Sequence, residues 1–119
     1  MTRDSKWQRI NTILNLPSNV ARYTLPIVIR SFRSADTQTL FETGKCKNFS
    51  GIANIAVRKL AQLDAAQTLE FLRSPPGNRL ESLKGKRKGQ YSIRVNDQFR
   101  ICFRWTNEGP EDVEIVDYH

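Results

Sequence analysis

An α+β fold is expected from the way hydrophobic spacing changes along these 119 residues. Residues 50–66 repeat apolar side chains at helical spacing, and residues 90–105 alternate them with polar ones. A Pro-Pro-Gly break divides the two regimes. With an apolar segment ahead of the helices, the expected plan is an N-terminal strand and helices packed on one face of a mainly antiparallel four-stranded sheet.

The first strand is placed at Pro26-Ile27-Val28-Ile29-Arg30-Ser31-Phe32. Ser34 or Asp36 is positioned to cap a short helix carrying Leu40 and Phe41, and Gly44 to stop it. The clearest helix spans about Ser50 to Ala66, because Ile52, Ile55, Ala56, Leu60 and Leu63 share one face while Arg58, Lys59 and Gln62 fall elsewhere. Thr68 caps one more turn holding Leu69 and Leu72, after which Pro75-Pro76-Gly77 ends helical structure. Tyr91, Ile93 and Val95 mark the next strand, Phe99, Ile101, Phe103 and Trp105 the one after, and Val113 and Ile115 begin the last.

Parity fixes the hairpin. Val95 and Phe99 both belong to the apolar face, so Asn96-Asp97-Gln98 must form a three-residue loop; a two-residue loop would turn one strand inside out. Val95 then faces Phe99, and Arg94 lies opposite Arg100 on the polar face. Like charges across a ladder repel, so an anion is expected there. Setting Trp105 opposite Val113 in the final pair puts Arg100 opposite Tyr118 and brings the carboxyl end beside the arginines.

Composition narrows the function classes. Hydrophobic residues are 39% and charged ones 26%, a balance that excludes a disordered chain. No apolar run reaches the 18 or so residues of a membrane span, and no basic start leads into a signal core. Two distant cysteines, Cys46 and Cys102, make no disulfide framework, so a reducing cytoplasm is the expected setting. One histidine and two separated cysteines make no closed zinc site, and no phosphate loop, dinucleotide motif or nucleophile elbow appears. No cofactor and no metal are expected.

Lys and Arg outnumber Asp and Glu by 19 to 12, for a net charge of +7, and the excess is segregated. Arg73 to Arg104 holds nine basic residues against Glu81 and Asp97, whereas Trp105 to His119 holds five acids and no Lys or Arg. Such segregation suits a polyanion, although a solvated basic face would look the same. The basic loop Lys84-Gly85-Lys86-Arg87-Lys88-Gly89 reads as a mobile phosphate-contacting segment or as a plain solvated hairpin loop. His119 is the single histidine, an imidazole suited to general acid–base work, and it ends the chain.

From about Val28 onward the chain resembles the HigB branch of the RelE/ParE toxin superfamily, whose members are ribosome-dependent mRNA interferases of type II toxin–antitoxin systems. The residues that carry the resemblance are Ile29-Arg30-Ser31-Phe32, Leu40-Phe41-Glu42-Thr43-Gly44 and Arg58-Lys59-Leu60-Ala61-Gln62-Leu63-Asp64-Ala65-Ala66. It continues through Arg73-Ser74-Pro75-Pro76-Gly77-Asn78-Arg79-Leu80, Leu83-Lys84-Gly85 and Tyr91-Ser92-Ile93-Arg94-Val95-Asn96-Asp97-Gln98-Phe99-Arg100-Ile101 to the terminal Val116-Asp117-Tyr118-His119.

That resemblance divides the chain into an N-terminal extension, 1–27, and a toxin domain, 28–119. In the extension Trp7, Ile10 and Leu14 recur at helical spacing. The resemblance also implies an endoribonuclease that works without metal through attack by the RNA's own 2′-hydroxyl. Its catalytic set would be Lys84, Arg100, Tyr118 and His119, with Asp117 alongside. Glu81 stands where the best-known member has a histidine, so it competes with His119 as general base. Arg79, Lys86, Arg87, Lys88 and Arg94 are the expected RNA-binding residues. The implied partners are a HigA-like helix-turn-helix antitoxin and the ribosome, through rRNA and A-site mRNA, with no membrane. The competing readings are a ParE-like inhibitor of DNA gyrase and a basic RNA-binding module without chemistry.

Overall fold

The computed structural model describes residues 26–118, so most of the 1–27 extension and His119 lie outside the described residues. Helix α1, Ala35–Thr43, starts where Ser34 Oγ accepts from the Thr37 amide and ends at Gly44, whose φ of 80° is open to glycine without steric cost. Helix α2, Ala53–Ala65, is entered through a 3₁₀ turn at Lys47–Ile52 that takes the place of the expected first turn. Phe49 breaks the helical dihedrals there. A further 3₁₀ turn follows at Glu70–Arg73, where Thr68 Oγ1 accepts from the Phe71 amide.

Four antiparallel strands come next: β1 Glu81–Ser82, β2 Tyr91–Arg94, β3 Phe99–Thr106 and β4 Gly109–Asp117, in sheet order β1-β2-β3-β4. The helices cover one face. Leu40, Ala56, Leu60 and Leu63 pack with Ala66 and Leu72 on Ile93, Val95, Ile101, Phe103, Val113 and Ile115, all buried. Excluding water from these side chains is the main stabilising term. Among the described residues no helix is long and apolar enough to cross a membrane.

Three expectations are corrected. The segment at 26–32 is not a regular strand; it runs beside β4 with a single parallel bridge, Phe32 to Val113. Its amides and carbonyls still bond there, Arg30 N to Pro110 O at 2.7 Å and Val113 N to Ser31 O at 3.1 Å. Pro110 has no N–H to give back, and Asp112 adopts φ 54°, so a continuous ladder cannot form. The fourth strand of the sheet is therefore the short β1. Helical structure also does not end at Pro75-Pro76-Gly77, because a 3₁₀ turn returns at Gly85–Arg87.

The third correction concerns register. The β2–β3 hairpin is as parity requires: Arg94 faces Arg100, and Val95 N donates to Phe99 O at 3.0 Å across a loop of residues 96–98. The β3–β4 turn is tighter than expected, with Thr106 paired to Gly109, so Trp105 faces Pro110 rather than Val113. An extra β4 residue between the Arg104–Glu111 and Cys102–Glu114 pairs then puts Arg100 opposite Val116 rather than Tyr118. Tyr118 N donates to Gln98 O at 2.7 Å, one position beyond the Phe99–Asp117 pair.

Gly109 permits that tight turn. A Cβ there would lie 2.0 Å from the Val28 carbonyl oxygen, at a φ of 127° that L side chains rarely adopt. Gly109→Ala is expected to destabilise the fold by more than about 2 kcal/mol, read from the midpoint of urea unfolding.

Candidate functional site

The face of the sheet turned away from the helices is built in rows. Glu81, Ser92, Cys102 and Glu114 form one row across the four strands, and Arg94, Arg100 and Val116 form the next. Side chains two residues apart on a strand share a face, so Arg100 lies beside Ser92 as well as Cys102.

Arg100 is the centre of this face and is 9% exposed. Its Nε donates to Ser92 Oγ at 2.7 Å, while Nη2 donates to Arg79 O at 2.6 Å and Ser92 O at 3.3 Å. Glu81 Oε1 stands 3.9 Å from Nη2, an ion pair too long for a hydrogen bond. Among the described residues no acceptor engages Nη1, which leaves that edge of the fork with hydrogens to donate. The expected Arg94–Arg100 repulsion is relieved locally, since Arg94 Nη2 turns to Asp97 Oδ1 at 2.5 Å.

Tyr118 reaches back over the same face. Its hydroxyl lies beside the Cys102 thiol, while the residue as a whole remains 44% exposed. Burial and the neighbouring thiol push the phenol above its ordinary pKa, and Arg87 and Arg100 draw it partly back. Burial likewise pushes the Cys102 thiol up. Both groups therefore stay protonated at neutral pH.

The basic loop is a hydrogen-bonded turn. Leu83 N donates to Gln90 O, Arg87 N to Lys84 O and Lys88 N to Gly85 O. Arg87 is fixed to the sheet by Glu114 at 3.4 Å and by Gln90 Oε1 at 3.0 Å. Lys84, Lys86 and Lys88 are exposed, and among the described residues none forms an ion pair.

The fold thus gathers Glu81, Arg100 and Tyr118 on one face, with Lys84 three residues beyond Glu81 and Arg79 contributing its carbonyl. His119 lies outside the described residues. Reading of the sequence missed Ser92, Cys102 and the Arg79 carbonyl as parts of the site. Ser92 was visible as a polar residue on the face of Arg94, but a backbone acceptor leaves no trace in residue types. Among the described residues no three His, Cys, Asp or Glu side chains cluster as metal ligands would.

Residues 30–119 match the family of HigB-like toxins, described as RelE-like toxins of the type II toxin–antitoxin system HigB. Over 58 residues, 49% of this chain, the sequence is 55% identical to Toxin HigB-1 of Vibrio cholerae serotype O1, covering 61% of that protein. It is 41% identical over 58 residues to an uncharacterized protein of Haemophilus influenzae, covering 57% of it. These matches span about three fifths of the length of each relative. Among solved structures the chain is similar to the YoeB–YefM complex from Staphylococcus aureus, with TM-score 0.47 and 18% identity, over 76% of this chain and 97% of that one.

The burial difference between the cysteines has a direct chemical readout. Iodoacetamide at pH 8 is expected to modify the partly exposed Cys46 in the folded protein and to reach Cys102 only after denaturant is added. Peptide mass mapping distinguishes the two.

Proposed function

The chain belongs to the HigB-like family of RelE-like toxins of type II toxin–antitoxin systems, and from that premise we propose that it is a ribosome-dependent endoribonuclease that cleaves mRNA in the A site. The observation that supports this reading best is the buried Arg100 fork, with one edge held by the protein, the other without an acceptor among the described residues, and an aromatic ring on the same face.

Cleaving RNA by its own 2′-hydroxyl requires removing that proton, stabilising a dianionic phosphorane and protonating the departing 5′-oxygen. The open edge of Arg100 suits the equatorial phosphoryl oxygens because a guanidinium stays charged and bonds in a planar fork. Lys84 adds a second cation from the turn. Preorganised charge of this kind is commonly the largest contribution to such a rate. The Tyr118 ring supplies a surface on which a splayed base stacks. His119 is the candidate general base or acid, and Glu81, directed at Arg100 from the sheet edge, is the competing base. The scheme is written without a metal: the nucleophile belongs to the substrate, and Arg100 and Lys84 carry the phosphoryl charge. A HigA-like helix-turn-helix antitoxin is the proposed protein partner.

On this reading Arg100→Ala lowers mRNA cleavage on ribosomes by about 10²–10³-fold, and His119→Gln by about 10²–10⁴-fold. Primer-extension mapping of mRNA ends, together with growth after induction, measures both. Full growth arrest by either variant would refute the assignment.

Lys86 and Lys88 grip rRNA phosphates in the same scheme, while Arg87 is committed to Glu114. A Lys86→Ala/Lys88→Ala variant should therefore bind ribosomes more weakly, with a salt slope reduced by roughly two and unchanged cleavage positions. Adding Arg87→Ala should lower folding stability as well, as thermal unfolding would report.

A further inference from the structure

We infer that Asn78, a residue with no place in the proposed chemistry, is the positioning residue of the site: it fixes the Arg79 carbonyl that orients the Arg100 guanidinium. Asn78 is fully buried, and every polar group it carries is engaged. Its amide donates to Pro75 O at 3.2 Å, and its carbonyl accepts from the Arg94 amide at 2.6 Å. Its side-chain Nδ2 donates to Leu72 O at 3.1 Å, and Oδ1 accepts from the Lys59 ammonium. Its side chain therefore ties the turn at 75–79 to α2 and to the Glu70–Arg73 turn, and its backbone carbonyl ties the same turn to the end of β2.

The next residue shows why such a clamp is needed. Arg79 sits at φ 46°, a left-handed conformation that non-glycine residues rarely adopt, and its own side chain is exposed. A strained conformation persists only where its surroundings over-determine it. Here the strain aims a carbonyl at Arg100 Nη2 at 2.6 Å. With Ser92 Oγ on Nε, that carbonyl sets the plane of the guanidinium and hence the direction in which Nη1 points. Release of Asn78 allows Arg79 to relax, and Arg100 then keeps its charge and burial but loses its fixed plane.

The inference rests on the reading of Arg100 as the phosphate-binding group for its consequence in catalysis, but its structural content is measurable without RNA. The experiment follows the Arg100 Nε–H and Nη signals by ¹⁵N–¹H NMR, assigned by their loss in Arg100→Lys. Asn78→Ala and Lys59→Met are the test variants. Lys59 is only half-buried, so its replacement retains the fold if Asn78→Ala does not, and backbone amide spectra verify folding. Expected are slow guanidinium rotation in the unaltered protein and faster rotation in both variants, with the Nε–H shift moved toward that of solvated arginines. Ribosome-dependent cleavage falls at least about tenfold while ribosome binding is unchanged, because Lys86 and Lys88 are untouched. Unaltered Arg100 signals in folded Lys59→Met overturn the inference. If the arginine signals respond but the unaltered protein cuts no mRNA, the positioning role stands and the nuclease reading fails.

Discussion

Holding a guanidinium at the bottom of a sheet face constrains everything around it. Arginine does not shed its proton, so burial cannot be relieved by neutralising it, as it is for many lysines. The fold must bring acceptors instead, and it brings Ser92 Oγ, Ser92 O and Arg79 O to Arg100, with the Glu81 carboxylate at the margin. Each acceptor demands a particular backbone path. Ser92 serves only while β2 and β3 keep their register, and the three-residue loop at 96–98 sets that register. A slip by one residue would send Arg100 into the layer of Ile101 and Phe103, where no acceptor waits.

The neighbouring charges are settled by the same economy of local partners. Arg94 and Arg100 stand directly opposed on the ladder, yet neither depends on an external anion. Arg94 takes Asp97 from its own loop, while Arg100 is held by neutral oxygens. Glu114 collects Arg87 at 3.4 Å and Arg33 at 3.9 Å, drawing the basic turn and the entry to α1 onto β4. Neutral acceptors satisfy hydrogen bonds without cancelling charge, so among the described residues only the Glu81 carboxylate at 3.9 Å offsets the charge of Arg100. A satisfied cation is thus distinct from a neutralised one.

Local chemistry was legible in the sequence, and long-range closure was not. Ser34 and Gly44 delimit α1 by interactions within a few residues, and the parity of Val95 and Phe99 fixes a loop regardless of the rest of the fold. The start of β4 was hidden because Gly109-Pro110 has the look of a loop; it joins the strand through its pairing with Thr106 and Trp105, with Val28 packed against Gly109. The strand expected at 26–32 failed for the complementary reason, since its apolar pattern was right but its partner edge is interrupted by Pro110 and Asp112. In the site, Arg100 and Tyr118 could be found by alternation and charge. The Arg79 carbonyl and the approach of Tyr118 to Cys102 could not, because they arise where distant segments meet.

The extra residue in β4 decides whether Tyr118 reaches the site at all. Near the turn, Arg104 faces Glu111, and beyond the irregularity Cys102 faces Glu114, so two β3 positions are matched by three on β4. Without that insertion Cys102 would face Val113, and every later β4 side chain would exchange faces. Val113 and Ile115 would leave the core for the polar face, and Tyr118 would turn toward the helices. Asp112 absorbs the extra residue at φ 54°, a conformation Asp tolerates better than most side chains. Its amide donates to Ser31 Oγ at 2.8 Å, and its carboxylate pairs with Arg104 at 3.5 Å. The irregular segment before α1 thus contributes to the site despite its distance in sequence: by holding the β4 bulge, Ser31 helps put the Tyr118 ring on the face of Arg100.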